Sequence, residues 1–293
     1  MHAKSGLRVF LKRKIHRPDS VIAAVIKLRT TNKAVSAVPY IEHVSLNSSP
    51  DLNPSTHPGN LAFTSDLYLE FESPITFFVG ENGAGKSTLL EAMAVLSRLP
   101  ICGGGTNEYG HNHAFAERSI LANSIRLAYL RQPRDRYFFR ADTAAHFASL
   151  LERRDVDPDF ILPGGAKADP FMRYGGESLH QKSHGESFLA LMQNRFQNGL
   201  FFLDEPESAL SPKNQIALMA LLNDMVRRGN TQIFIATHSP ILLTMPNSEI
   251  ISFDNSDLKP IALEDTSHFN LTRRILANPE KFWNTLSGHK TQE

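Results

Sequence analysis

The stretch Ile75-Thr-Phe-Phe-Val-Gly80-Glu-Asn-Gly-Ala-Gly-Lys-Ser-Thr-Leu-Leu90 decides the fold. Its first five residues form a short apolar run that ends in glycine, the pattern of a strand buried on both faces of a parallel sheet. From Ser87 to Arg98 the text reads as a helix stopped before Pro100. Between them, Gly80 to Ser87 satisfies the phosphate-loop spacing GxxxxGK[ST]. Glycines let the backbone amides turn inward around phosphate oxygens, and the following helix offers its positive N-terminus. On this reading Lys86 meets the outer phosphates of a bound nucleotide and Ser87 ligates magnesium.

A second segment supplies what a phosphate loop lacks. Leu200-Phe-Phe-Leu-Asp-Glu-Pro206 is an apolar strand tipped by two adjacent carboxylates. Ligands sit at strand tips in open parallel sheets, so Asp204 is expected on the magnesium side and Glu205 beside the attacking water. Around these two anchors further elements are legible. Ser187–Gln197 has helical spacing at Phe188, Met192 and Phe196, Lys213–Arg228 reads as a helix closed by Gly229, and Thr231–Ala236 reads as another strand. Strands alternating with helices of this length predict an α/β fold with a mostly parallel central sheet and helices on both faces. Upstream, Tyr40–Leu46 alternates like an edge strand, Asn47–Asn60 is a polar loop, and Leu67–Phe71 alternates again. Ile125–Leu130 is a candidate strand.

The 293 residues, 41% of them hydrophobic, suffice for one large domain with a buried core. The longest aliphatic run, Val21–Ile26, is far shorter than the roughly 20 residues of a membrane helix, so no transmembrane segment is expected. The single cysteine, Cys102, allows no internal disulfide and no CxxC site, which suits a reducing, cytoplasmic setting. The net charge of +1 hides an asymmetry: residues 1–40 carry +8 and the remainder −7. Residues 1–38 are therefore expected to form a basic N-terminal arm, solvated or in contact with nucleic acid, ahead of a folded domain over 39–293.

Five motifs in a fixed order resemble the ATP-binding-cassette (ABC) ATPases: GENGAGKST, then SHGES (Ser183–Ser187), LFFLDEP, SALS (Ser208–Ser211) and ATHSP (Ala236–Pro240). Their wording is similar to that of small stand-alone AAA family ATPases related to the RecF and SMC heads. The likeness runs from about Pro39 to Leu271–Trp283. It implies a P-loop NTPase of ABC/SMC-head type with a helical insertion over roughly 99–186. It also implies ATP and Mg²⁺ as ligands, and two copies closing head to tail.

Carried onto this chain, the resemblance assigns Gly80, Glu81, Asn82, Gly83, Ala84, Gly85, Lys86, Ser87 and Thr88 to the nucleotide and Asp204 to the magnesium side. Glu205 is the catalytic base, and His238 the switch histidine at the γ-phosphate. Ser208–Ser211 is the loop where two domains meet, and Ser183 with Gly185 is the signature closing over the partner's ATP. The chain departs from the usual LSGGQ signature at Lys182, His184 and Glu186, and Ser211 stands where aspartate is usual. Gln132 is the nearest candidate for the Q-loop glutamine, and Tyr40 or Phe63 for the adenine-stacking aromatic.

The expected role is a soluble ATPase in DNA maintenance or defence, alone or with an effector protein. The rivals are the motor subunit of a membrane transporter and a slow ATP-dependent binding switch. Arg131, Arg134, Arg136 and Arg140, interleaved with Tyr137, Phe138 and Phe139, read either as an exposed loop or as a nucleic-acid surface. His111 and His113 are a weak metal candidate, and Trp283 reads as a packing residue.

Overall fold

Strand Ile75–Val79 (β3) lies near the middle of a seven-stranded sheet and is buried at every position. In a computed structural model the described residues are 38–48, 51–101, 104–105, 119–141, 189, 192–193, 198–254 and 256–287. The other strands of this sheet are Gly104–Gly105 (β4), Arg136–Arg140 (β6), Gly199–Asp204 (β7), Thr231–Ala236 (β8), Glu249–Ser252 (β9) and Lys259–Pro260 (β10). They run in the order β10-β9-β3-β8-β7-β6-β4. The five inner strands pair in parallel, and only the two-residue edge strands β4 and β10 pair antiparallel. The α/β class and the mostly parallel sheet expected from the sequence are present.

Period-two alternation divides the inner strands between two cores. Ile75, Phe77, Val79, Phe201, Leu203, Ile233 and Ile235 share one core with Leu218, Leu222 and Met225 of helix Pro212–Arg227 (α3). Phe78, Leu200, Phe202 and Phe234 share the other with Leu89, Leu90 and Met93 of helix Lys86–Leu96 (α1). Each face thus carries a helix. Phe234 is the hub of the second core, stacked on Phe202 at 5.4 Å and edge-on to Phe71 at 4.7 Å. Burying one such ring stabilises the fold by about 1.5–3 kcal/mol.

The second core is closed by a small antiparallel sheet of Ile41–Leu46 (β1), Tyr68–Glu70 (β2) and Ile125–Tyr129 (β5), the last preceded by the short helix Ile120–Ser124 (α2). Its order is β2-β1-β5, so β1 is the central strand and not an edge. Alternation reports only that one face is wet, which is equally true of a central strand in such a sheet. Gln232 of β8 ties the two sheets together. Its buried amide accepts from Ile41 N at 2.7 Å and donates to Ile41 O at 2.8 Å.

Three other expectations change. Arg136–Arg140 is neither an exposed loop nor a stacking surface: it is β6, and Tyr137, Phe138 and Phe139 are buried. The flanking arginines leave the sheet at its two ends, Arg136 donating to Ser97 O at 2.9 Å and Arg140 to Glu91 Oε2 at 2.8 Å. Because β5 and β6 both fall inside 99–186, this part of the stretch is sheet, and the signature segment 142–188 lies outside the described residues. Trp283 is no packing residue. It sits 63% exposed on helix Pro279–Leu286 (α5), which with helix Ser267–Ala277 (α4) buries no side chain. Val38 packs in the second core, while residues 1–37, Cys102, His111 and His113 lie outside the described residues.

Candidate nucleotide site

In a parallel sheet all strands deliver their C-terminal ends to one edge, and here that edge gathers the chemistry. The chain leaves β3 through Gly80, whose φ of 145° favours glycine. A side chain there would also overlap Asp254 Oδ1 at 2.9 Å. Gly83 and Gly85 likewise have positive φ, 81° and 96°. A β-carbon on Gly85 would meet Phe63 Cε1 at 2.7 Å, so the loop turns tightly over the upstream segment. Asp254, just past β9, accepts from Glu81 N at 2.9 Å and steadies the loop's first turn. Nothing in the local sequence of Asp254 marks it for this task; only its position after a strand neighbouring β3 does.

Lys86 opens α1 and is only 4% exposed. Its Nζ donates to the loop's own carbonyls, Gly80 O at 2.7 Å and Glu81 O at 2.9 Å. Burial pushes its pKa down from 10.5, and Glu205, Asp254, Asp204 and Glu81 offset part of that. A buried ammonium held by carbonyls, in a loop whose glycines have positive φ, suits the binding of an anion.

Beside it Ser87 Oγ donates to Asp204 Oδ1 at 2.7 Å. Asp204 ends β7, is 7% exposed, and has Arg140 Nε 4.0 Å from its Oδ2. A hydroxyl and a carboxylate held together at the mouth of that loop are hard oxygen donors that suit a divalent cation completing its shell from phosphate and water. Among the described residues no cluster of three histidine, cysteine or acidic side chains offers a metal site by itself.

Glu205 follows with φ 47° and ψ 50°, a left-handed conformation that bulky residues rarely adopt. Its amide donates to Ala236 O at 2.9 Å, and its half-exposed carboxylate reaches within 4.0 Å of His238 Nε2. Strain of this kind clusters at functional sites. His238 lies two residues beyond β8. Its amide donates to Glu207 Oε1 at 2.6 Å, its Nδ1 lies 3.0 Å from His268 Nε2, and its Nε2 is buried without a partner. Burial first, then the charge of Lys86 and the neighbouring His268, hold its pKa below 6.5. Glu207 is the mirror case: burial raises its carboxyl above 4.5 despite the hydrogen bond from the His238 amide.

Gly80 through Thr88, Asp204, Glu205 and His238 therefore meet at one edge, with Thr88 Oγ1 3.3 Å from His57 Nε2. Gln132 does not join them. Asp135 O accepts from Leu200 N at the opposite edge, which leaves Gln132 at the start of β6, bonded to Arg136. The residue that β6 brings level with Asp204 is Arg140. Tyr40 is buried with its hydroxyl on Asn230 O, and Phe63 is buried edge-on to Phe253, so neither offers a ring face to a base. Ser211 caps α3, accepting from Asn214 N, a task serine and aspartate perform equally well. Ser183 and Gly185 lie outside the described residues.

Two family models match the halves of this site: an AAA domain over residues 60–98, and an AAA domain described as putative AbiEii toxin, Type IV TA system, over 178–244. Cobalt import ATP-binding protein CbiO of Salmonella paratyphi A is 26% identical over 178 residues, covering 59% of this chain and 65% of that protein. An uncharacterized ABC transporter ATP-binding protein of Haemophilus influenzae is 25% identical over 233 residues, covering 74% of this chain and 85% of that protein. Over both halves of the site this chain is therefore similar to ABC-type ATP-binding proteins with a P-loop. Solved structures similar to this chain include CbiO1 of Clostridium perfringens, with TM-score 0.43, 15% identity and coverage of 86% and 99%. The SMC head domain from Thermotoga maritima aligns with TM-score 0.39, 14% identity and coverage of 76% and 99%.

Proposed function

We propose that this chain binds ATP with Mg²⁺ and hydrolyses it to ADP and phosphate, as a dimer whose two copies close head to tail. One observation carries the reading: the Ser87–Asp204 hydrogen bond at the mouth of a loop that buries Lys86. Bound magnesium would neutralise charge on the outer phosphates, with Ser87 and Asp204 holding it. Lys86 exchanges its carbonyl partners for phosphate oxygens, and the loop amides of Gly83, Gly85, Lys86 and Ser87 bind the remainder. Glu205, set at the strand tip and half exposed, orients the attacking water. His238 presents its unpartnered Nε2 to the γ-phosphate. Phosphoryl transfer needs little covalent help, so positioning and charge neutralisation account for catalysis.

The dimer rests on arithmetic: one phosphate loop and one signature, Ser183 with Gly185, per chain. We infer that a helical insertion within 99–186, beyond the part that β5 and β6 occupy, carries that signature. A role in defence agrees with the toxin-system description of the second family model, while DNA maintenance, with DNA or an effector protein as partner, rests on the resemblance to the RecF and SMC heads. The names of the import ATP-binding relatives favour a second reading, a motor subunit that works with a membrane partner on another chain. Among the described residues no helix is long and apolar enough to cross a membrane. Phosphate release from ATP with magnesium, and its loss with a chelator, tests the activity. Co-purification with membranes separates the two roles.

A further inference from the structure

The C-terminal helix α4 reaches the nucleotide edge at one point, where His268 in its first turn meets His238. Their rings are 4.9 Å apart and inclined by 65°, and Nδ1 of His238 lies 3.0 Å from Nε2 of His268. One hydrogen can occupy that contact, so the two tautomers are locked to each other. On the far side of His268, Ser267 Oγ stands 3.4 Å from Nδ1. On the far side of His238, Nε2 is buried, has no partner, and faces Glu205 from 4.0 Å.

We propose that His268 is a positioning residue for hydrolysis: its Nε2–H donates to His238 Nδ1 and thereby places the His238 hydrogen on Nε2, where a phosphate oxygen can accept it. The proposal rests on the reading of His238 as the γ-phosphate contact. The chain of donors is self-consistent. Ser267 Oγ–H serves His268 Nδ1, His268 Nε2–H serves His238 Nδ1, and the one donor left over is His238 Nε2–H. The reverse arrangement would place a lone pair on Nε2, facing both the Glu205 carboxylate and an anionic phosphate, with no hydrogen to share. Burial of His238 beside Lys86 disfavours the doubly protonated ring, so the tautomer, rather than added charge, decides what Nε2 can do. A residue thirty positions downstream, on a helix with no buried side chain, thus completes the edge.

The test compares steady-state ATP hydrolysis by full-length His268→Ala, His268→Gln, His238→Ala and the His238→Ala/His268→Ala double variant, each checked for folding by circular dichroism. A glutamine amide can replace the Nε2–H donor, whereas alanine cannot. His268→Ala should lower kcat about tenfold with KM for ATP unchanged, the size expected for losing one aligned donor. His268→Gln should recover kcat to within about threefold of the parent, and His268→Ala should add nothing in the His238→Ala background. Equal losses in the alanine and glutamine variants, or independent losses in the double variant, would overturn the proposal by making His268 a packing residue. Full kcat in His268→Ala with a defect in His238→Ala would overturn it while sparing the γ-phosphate reading. Full kcat in His238→Ala would remove both.

Discussion

Ser87 Oγ and Asp204 Oδ1 are joined by a 2.7 Å hydrogen bond although 117 residues separate them in the chain. β8 stands between β3, which leads into the loop before Ser87, and β7, which ends in Asp204, so the bond spans the mouth of the sheet rather than a strand pair. The contact brings a hydroxyl and a carboxylate, the two oxygen donors proposed for the metal, together at the mouth of the phosphate loop.

Lys86→Ala should abolish ATP binding measured by calorimetry while leaving the fold intact. The side chain is the buried cation of the loop, and its partners Gly80 O and Glu81 O are backbone groups that water can reach once it is gone. Near-normal affinity in the folded variant would refute the site.

Glu205→Gln should retain ATP binding and lose about 10²- to 10⁴-fold in kcat, because the amide keeps the shape but not the charge that orients water. The same variant with ATP and magnesium should elute as a dimer in sizing chromatography. Wild-type turnover, or a monomer under those conditions, would contradict the closing mechanism.

Glu207→Gln should flatten the pH dependence of stability. Burial raises the Glu207 carboxyl in the folded state above its ordinary 4.5, so the folded chain holds this proton more tightly than the unfolded chain. That contribution is fully present below 4.5 and is lost as pH rises through the raised value. Glutamine keeps the acceptor for the His238 amide and has no proton to lose. Urea unfolding from acid to neutral pH should show the variant gaining on the parent as pH increases. Parallel curves would mean that Glu207 is not desolvated as described.

Gln232→Leu should destabilise the protein by about 2–3 kcal/mol in urea unfolding, since it strips both backbone groups of Ile41 of this buried partner. Gln232→Glu should be worse still, because a buried carboxylate cannot donate to Ile41 O. A neutral effect would show that the two sheets are held by apolar packing alone.

The sequence made the three central strands legible because Ile75–Val79, Leu200–Leu203 and Thr231–Ala236 are apolar on both faces, which only a covered parallel sheet requires. β6 escaped because Arg136 and Arg140 bracket its three aromatics, and local composition cannot show that both guanidinium groups leave the core by the strand's ends to reach Ser97 and Glu91. β9 is four residues long and begins with Glu249, too short to announce itself. At the site, the phosphate loop, Asp204, Glu205 and His238 are legible in the sequence as motifs. Asp254, Glu207 and His268 were not, since each acts through a contact made across the fold and none sits in a recurring pattern. Gln132 follows a legible strand, but that strand, β5, belongs to the antiparallel sheet and ends away from the site.

Strand β8 carries a mechanical consequence. It is six residues long, about 20 Å, with Gln232 pinned to Ile41 near its start and His238 just beyond its end. A fully bonded strand between two parallel neighbours neither stretches nor buckles easily, so β8 works as a strut. Through Gln232 and Ile41 it braces the edge where His238 stands against the small antiparallel sheet of β1, β2 and β5.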